Sequence, residues 1–248
     1  MKFRMTVMAA LLSVAASNAQ SETPAGPLAM GQRIQIGAPR GADPVVYDST
    51  GGSFTTTTGV PRAYIGGAAN IVGAGPQVDI TSIDVFMAAT AAVTFTNIRA
   101  RIQLWDTYAP AGTPIYSAPA GVLITADAGP VTTVANTVTT LTITLPTPVR
   151  LNSLTGKGFA VNFQGDTGAG LADDANLTVP LAINGAQNVG TSAVGGGNGF
   201  YRNASGRTDF NFIGSDLRTF TGITDTRTAL VLRGNASVPV TLQSFDVN

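Results

Sequence analysis

Apolar and polar residues alternate along several short stretches of this chain, and Gly, Pro, Asn and Asp gather between them. The clearest stretch runs from Asn97 to Asp106. Ile98, Ala100, Ile102 and Leu104 fall on one side of a period of two, and Arg99, Arg101, Gln103 and Trp105 on the other. That period is the signature of a strand with one face buried. Val138 to Leu145 repeats it, with Leu141, Ile143 and Leu145 opposite Thr140, Thr142 and Thr144. Further strands are predicted at Arg33–Gly37, Val78–Met87, Gly158–Gln164, Ala229–Arg233 and Val238–Val247. In the last, the apolar phase shifts between Leu242 and Phe245, which predicts a bulge. The breaks fall at Ala109–Pro114, Asp127–Pro130, Gly165–Asn176 and Gly195–Gly199. No stretch carries the 3.6-residue period of an amphipathic helix, and no fixed-period repeat is present. The expected fold is all-β: one antiparallel two-sheet sandwich, jelly-roll-like, over residues 44–248.

The N-terminus reads differently. Lys2 and Arg4 precede an apolar run, Val7–Ala16, and Ser17-Asn18-Ala19 places small residues where signal peptidase reads. Residues 1–19 are therefore expected to be an export signal, cleaved after Ala19, and residues 20–43 a polar, partly ordered leader. The expected location is outside a Gram-negative bacterium, secreted or at the cell surface, with the periplasm as the alternative. No later run reaches the ~20 apolar residues of a membrane-spanning helix. The final residues, Phe245-Asp246-Val247-Asn248, show no sorting tail.

Composition then narrows the chemistry. The chain has no histidine and no cysteine. Ser-His-Asp, Cys-His, zinc, haem and iron–sulfur mechanisms all lose an essential side chain. Glu22 is the only glutamate, and Lys157 the only lysine beyond Lys2. Without Lys2 and Arg4 the chain is slightly acidic and has no basic cluster, which argues against nucleic acid. The Gly195–Gly199 run lacks the following helix and Lys-Ser/Thr of a phosphate loop. About 230 residues after the signal are enough to bury a core without disulfides.

Four stretches carry a resemblance. They are YDSTGGSFTTTTG from Tyr47, NIRARIQLWDTYAPAGTPIYS from Asn97, GKGFAVNFQGD from Gly156, and RTALVLRGNASVPVTLQSFDVN from Arg227. The layout resembles secreted bacterial β-sandwich proteins that carry PEP-CTERM or other choice-of-anchor tails. Ile102-Gln103-Leu104-Trp105 followed by Gly112-Thr113-Pro114-Ile115-Tyr116 matches their strand-and-turn pattern. The resemblance implies a surface protein associated with exopolysaccharide and no defined catalysis. The Pro-Glu-Pro tail itself is missing.

The outward row Arg99, Arg101, Gln103 and Trp105 is the candidate binding face, extended by Tyr201 and Arg207. Planar guanidinium donors beside aromatic surface suit sugars and acidic polysaccharide. The alternative is an ordinary solvated strand face with Trp105 packed under a loop. The loop holding Asp166, Asp173, Asp174 and Asn176 gathers oxygen ligands of the kind calcium takes, although Asp and Asn also serve such loops as Asx-turns. The first expected function is a non-catalytic binding or adhesion module for extracellular polysaccharide or matrix. The second is a structural protein that self-associates through sheet edges left without guarding lysines. The third is a polysaccharide hydrolase or lyase using Asp or a Tyr/Arg pair.

Overall fold

The computed structural model describes residues 20–39, 43–57, 64–106, 122–203, 209–210 and 212–237. Their regular structure is all β apart from two short 3₁₀ turns, at Val194–Gly197 and Gly214–Asp216. With strands numbered in chain order, the larger sheet runs β1 (Gln20–Glu22), β18 (Leu217–Phe220), β17 (Phe200–Arg202), β5 (Ile65–Asn70), β12 (Lys157–Asp166), β8 (Asn97–Trp105) and β9 (Val122–Asp127). Short strands β13 (Ala172–Asp173) and β16 (Thr191–Ser192) add to β12 and β5. The second sheet runs β2 (Ala29–Ile36), β11 (Thr137–Leu151), β6 (Gln77–Ala89), β20 (Leu230–Ser237) and β3 (Val45–Asp48), with β14 (Leu177–Thr178) on β6. Two small sheets complete the set: β19 (Arg227–Thr228), β15 (Leu181–Ile183) and β4 (Ser53–Thr55), and the pair β10 (Val131–Thr132) with β7 (Thr94–Phe95).

The period-two stretches become strands because each has a face to bury. Ile98, Ala100, Ile102 and Leu104 of β8 and Phe159, Val161 and Phe163 of β12 enter one apolar cluster. Ile83 and Val85 of β6, Leu141 and Ile143 of β11, and Leu230 and Leu232 of β20 enter the same cluster from the second sheet. Both large sheets thus share one core, whose burial is the main stabilising term. Opposite that core, a second cluster lies on the larger sheet and includes Tyr64, Trp105, Tyr201, Phe210, Phe212 and Leu217. A third joins Phe86, Val138 and Val231 to Phe54 and Ala182 of the small three-stranded sheet.

Local irregularities have local causes. The β11–β6 ladder shifts register between Thr144 and Val149, the span that holds Pro146 and Pro148, which have no N–H for a ladder bond. The β20–β6 ladder shifts between Arg233 and Gly234. A Cβ at Gly234 would run into the carbonyl oxygen of Asp79, so the close strand approach there requires glycine.

Two ladders correct the antiparallel expectation. β1 lies parallel to β18, and β2 parallel to β11, so both large sheets are mixed. Parallel neighbours need a long connection, and about 100 residues separate β2 from β11. The residues expected to form a partly ordered leader supply β1 and β2. The strand predicted at Val238–Val247 lies outside the described residues.

Candidate binding face

Strand β8 places Arg99, Arg101 and Gln103 on the face of the larger sheet opposite the core, each half-buried. Arg99 forms a two-pronged pair with Asp127 on β9, at 2.7 and 2.9 Å. That hydrogen bond holds the Asp127 carboxyl below its usual range. Arg101 lies over two rings, with its guanidinium carbon 5.5 Å from the Tyr64 centroid and 5.1 Å from that of Phe210. The rings meet edge to face, 4.8 Å apart. Arg101 Nη1 donates to Tyr64 Oη at 2.6 Å, and Tyr64 Oη donates to Asp173 Oδ2 at 3.3 Å. Gln164 Nε2 of β12 donates to Asp173 Oδ1, also at 3.3 Å.

The result is a stacked cation fixed at one end. A cation over an aromatic face is favoured by the ring quadrupole, and among the described residues the planar fork keeps donors beyond the one spent on Tyr64. Gln103, two residues along β8, has no side-chain hydrogen bond among the described residues. Burial raises the Tyr64 hydroxyl above its ordinary range, and Asp173 raises it further. Tyr64 therefore stays protonated and acts as a donor, which makes it a poor base.

Asn162 lies beneath this strip. It stands opposite Arg101 in the β12–β8 register, is 1% exposed, and neither of its amide atoms has a hydrogen-bond partner among the described residues. A buried unsatisfied amide is costly. Its alternation with Val161 and Phe163 was visible in the sequence as a polar position, but not its isolation. Tyr64 and Phe210 could not be assigned from sequence, because neither sits in a recognisable strand pattern with Arg101.

Trp105 and Tyr201 share the apolar cluster with Phe212 and are 5% and 2% exposed. They pack in the apolar cluster on the same side of the sheet as Arg101, and neither presents a flat ring to solvent. Arg207 lies outside the described residues. At the end of β8, Asp106 accepts from buried Lys157 at 2.6 Å and from Asn152 at 2.9 Å. Burial alone would raise the Asp106 carboxyl, yet the Lys157 and Asn152 bonds outweigh it and hold it low.

The proposed metal ligands take separate tasks. Asp166 Oδ1 accepts from the backbone N–H groups of Gly168 and Gly170, at 2.7 and 2.9 Å, which lowers its carboxyl. Asp174 Oδ1 accepts from the Asn176 N–H at 2.7 Å. Asp173 serves Tyr64 and Gln164. Among the described residues, no three carboxylates come together as a metal site. No helix among them is long and apolar enough to cross a membrane.

Comparison with family models, curated proteins and solved structures gives no match for the chain.

Proposed function

We propose that this chain is an exported, non-catalytic β-sandwich of jelly-roll type that binds acidic extracellular polysaccharide through the strip centred on Arg101. The observation that carries the reading is the stacked guanidinium, fixed over Tyr64 and Phe210 with donors unspent among the described residues. Arg99, Gln103 and Gln164 flank it on the same face. A uronate carboxylate fits a planar fork, and sugar hydroxyls fit the neighbouring amides. The resemblance to exopolysaccharide-associated surface proteins points the same way, and cleavage after Ala19 would free Gln20, the first residue of β1.

The test is retention on beads carrying an acidic polysaccharide and on beads carrying a neutral one. The native chain is retained on the acidic beads, and Arg101→Gln loses about tenfold in affinity, near 1.4 kcal/mol. Equal retention of both proteins, or none on any acidic polymer, overturns the reading.

One feature favours self-association as a second reading. Strand β9 pairs only with β8 among the described strands, and it exposes Val122 and Leu123 with no lysine nearby. Such an edge is a template for another strand.

A further inference from the structure

Residues 20–36 form an arm unlike the rest of the molecule. Both parallel ladders belong to it, whereas every other ladder between described strands is antiparallel. The arm touches three sheets in turn. Gln20–Glu22 lie along β18 at one end of the larger sheet. Residues 25–28 bond to the backbone of residues 54–56, Ala25 N–H to Thr56 O and Leu28 N–H to Phe54 O, each at 2.9 Å. Ala29–Ile36 then line the free side of β11. No residue from 20 to 39 is buried. Only Leu28, Ile34 and Ile36 pack apolar surface against the core clusters.

One contact is different in kind. Glu22 Oε1 lies 2.6 Å from Arg202 Nη2 and 3.0 Å from Arg218 Nε. The arginine side chains are only 13% and 7% exposed. Glu22 is thus a counter-charge to two largely buried cations, supplied by a segment that is otherwise on the surface. If the arm leaves, two costs appear together: unpaired strand edges on β18 and β11, and two arginines that lose the carboxylate lying between them, with only buried Asp216 left acting on Arg202.

We propose that the arm exchanges between copies of this chain, so that Gln20–Ile36 of one molecule occupies the β18, β4 and β11 surfaces of a second. The occupant is a second copy because the vacated surface already fits this sequence, residue for residue, with Glu22 between Arg202 and Arg218. Exchange remakes every contact it breaks and closes on itself as a two-fold pair. Low burial makes the arm the element that opens first. The pivot is Gly37, which follows β2 with φ +83°.

The chain has no cysteine, so an introduced pair reports without background. Ser21 Oγ and Thr221 Oγ1 are in direct contact across the arm's inner end. The double variant Ser21→Cys, Thr221→Cys is prepared as the full chain, with and without an affinity tag. The two are mixed, incubated over a range of concentrations and oxidised. Exchange gives a disulfide-linked tagged–untagged pair whose share rises with concentration. A disulfide confined to single chains at every concentration overturns the proposal. Glu22→Gln speeds formation of the mixed pair about tenfold or more, because a charge-assisted contact no longer holds the arm down. It leaves the final ratio unchanged, since closed and exchanged forms lose the same bond. An unaltered rate overturns the role of Glu22 as the latch. Light scattering on the unsubstituted chain is the independent check: a pair that dissociates slowly on dilution supports exchange, and a strict monomer at all concentrations contradicts it.

Discussion

Arg101 and Trp105 stand four residues apart on one strand face and do different work. Arg101 is half-buried and stacked, so replacing it would remove the proposed ligand contact at little structural cost, about 0.5–1 kcal/mol for the lost ring contact. Trp105 is packed within an apolar cluster, so Trp105→Ala is expected to destabilise the fold by about 3–5 kcal/mol, measured by urea unfolding. A loss below ~1 kcal/mol would mean that the ring is not part of that cluster. The alternation over Asn97–Asp106 made both residues legible as members of one face. What covers the face was not legible, because Tyr201 and Phe212 come from about 100 residues further along. Asp79, Asp106, Asp127 and Asp166 are all held below their ordinary range in the folded protein. They bind protons more readily unfolded, so the stability they add is present above about pH 4 and is lost as pH falls below it. Glu22 runs the other way, raised by burial despite its two arginines. With no histidine, the urea midpoint is expected to stay level from about pH 5 to 8. A step near pH 6.5 would contradict this.

At the level of elements, β12 is the strand on which the face and the core depend together. Its inner side carries Phe159, Val161 and Phe163, and its outer side carries Asn162 and Gln164. At Gly165 an added Cβ would collide with the ring of fully buried Phe95. Gly165→Ala is therefore expected to cost about 1–3 kcal/mol through overpacking, read as a lower urea midpoint with an unchanged slope. No change would show that the ring moves aside freely. Lys157, the only lysine beyond Lys2, lies in this interior strand and is buried against Asp106. Six of the twenty described strands, β2, β6, β8, β11, β12 and β20, were readable from the sequence, since alternation records which side is buried; β5, β9, β17, β18 and the short strands were not. Strand direction was not, because parallel and antiparallel neighbours impose the same period. The arm shows this plainly: Ile34 and Ile36 revealed a strand in β2, and nothing local revealed that β11 would be its parallel partner.

For the whole molecule, two large sheets sharing one core leave both outer faces for other uses. On the second sheet, Phe86, Val138 and Val231 are packed against residues of the small three-stranded sheet, including Phe54 and Ala182. The larger sheet keeps a half-buried polar strip along β8 and β12, bounded by the Arg99–Asp127 pair and by the Tyr64–Asp173 contact. The composition fits the proposed role: with no histidine or cysteine and one glutamate, arginine and amide donors would carry the recognition chemistry. The most direct measurement is the affinity of the native chain and of Arg101→Gln for a soluble acidic polysaccharide, with the emission of Trp105 followed in both. Trp105 is the only tryptophan and is buried on the same strand, so its emission reports whether the face is folded. Emission is expected to be identical in the two proteins before ligand is added, and binding by the variant about tenfold weaker. Equal affinity of the two proteins, with Trp105 emission intact in both, would contradict this.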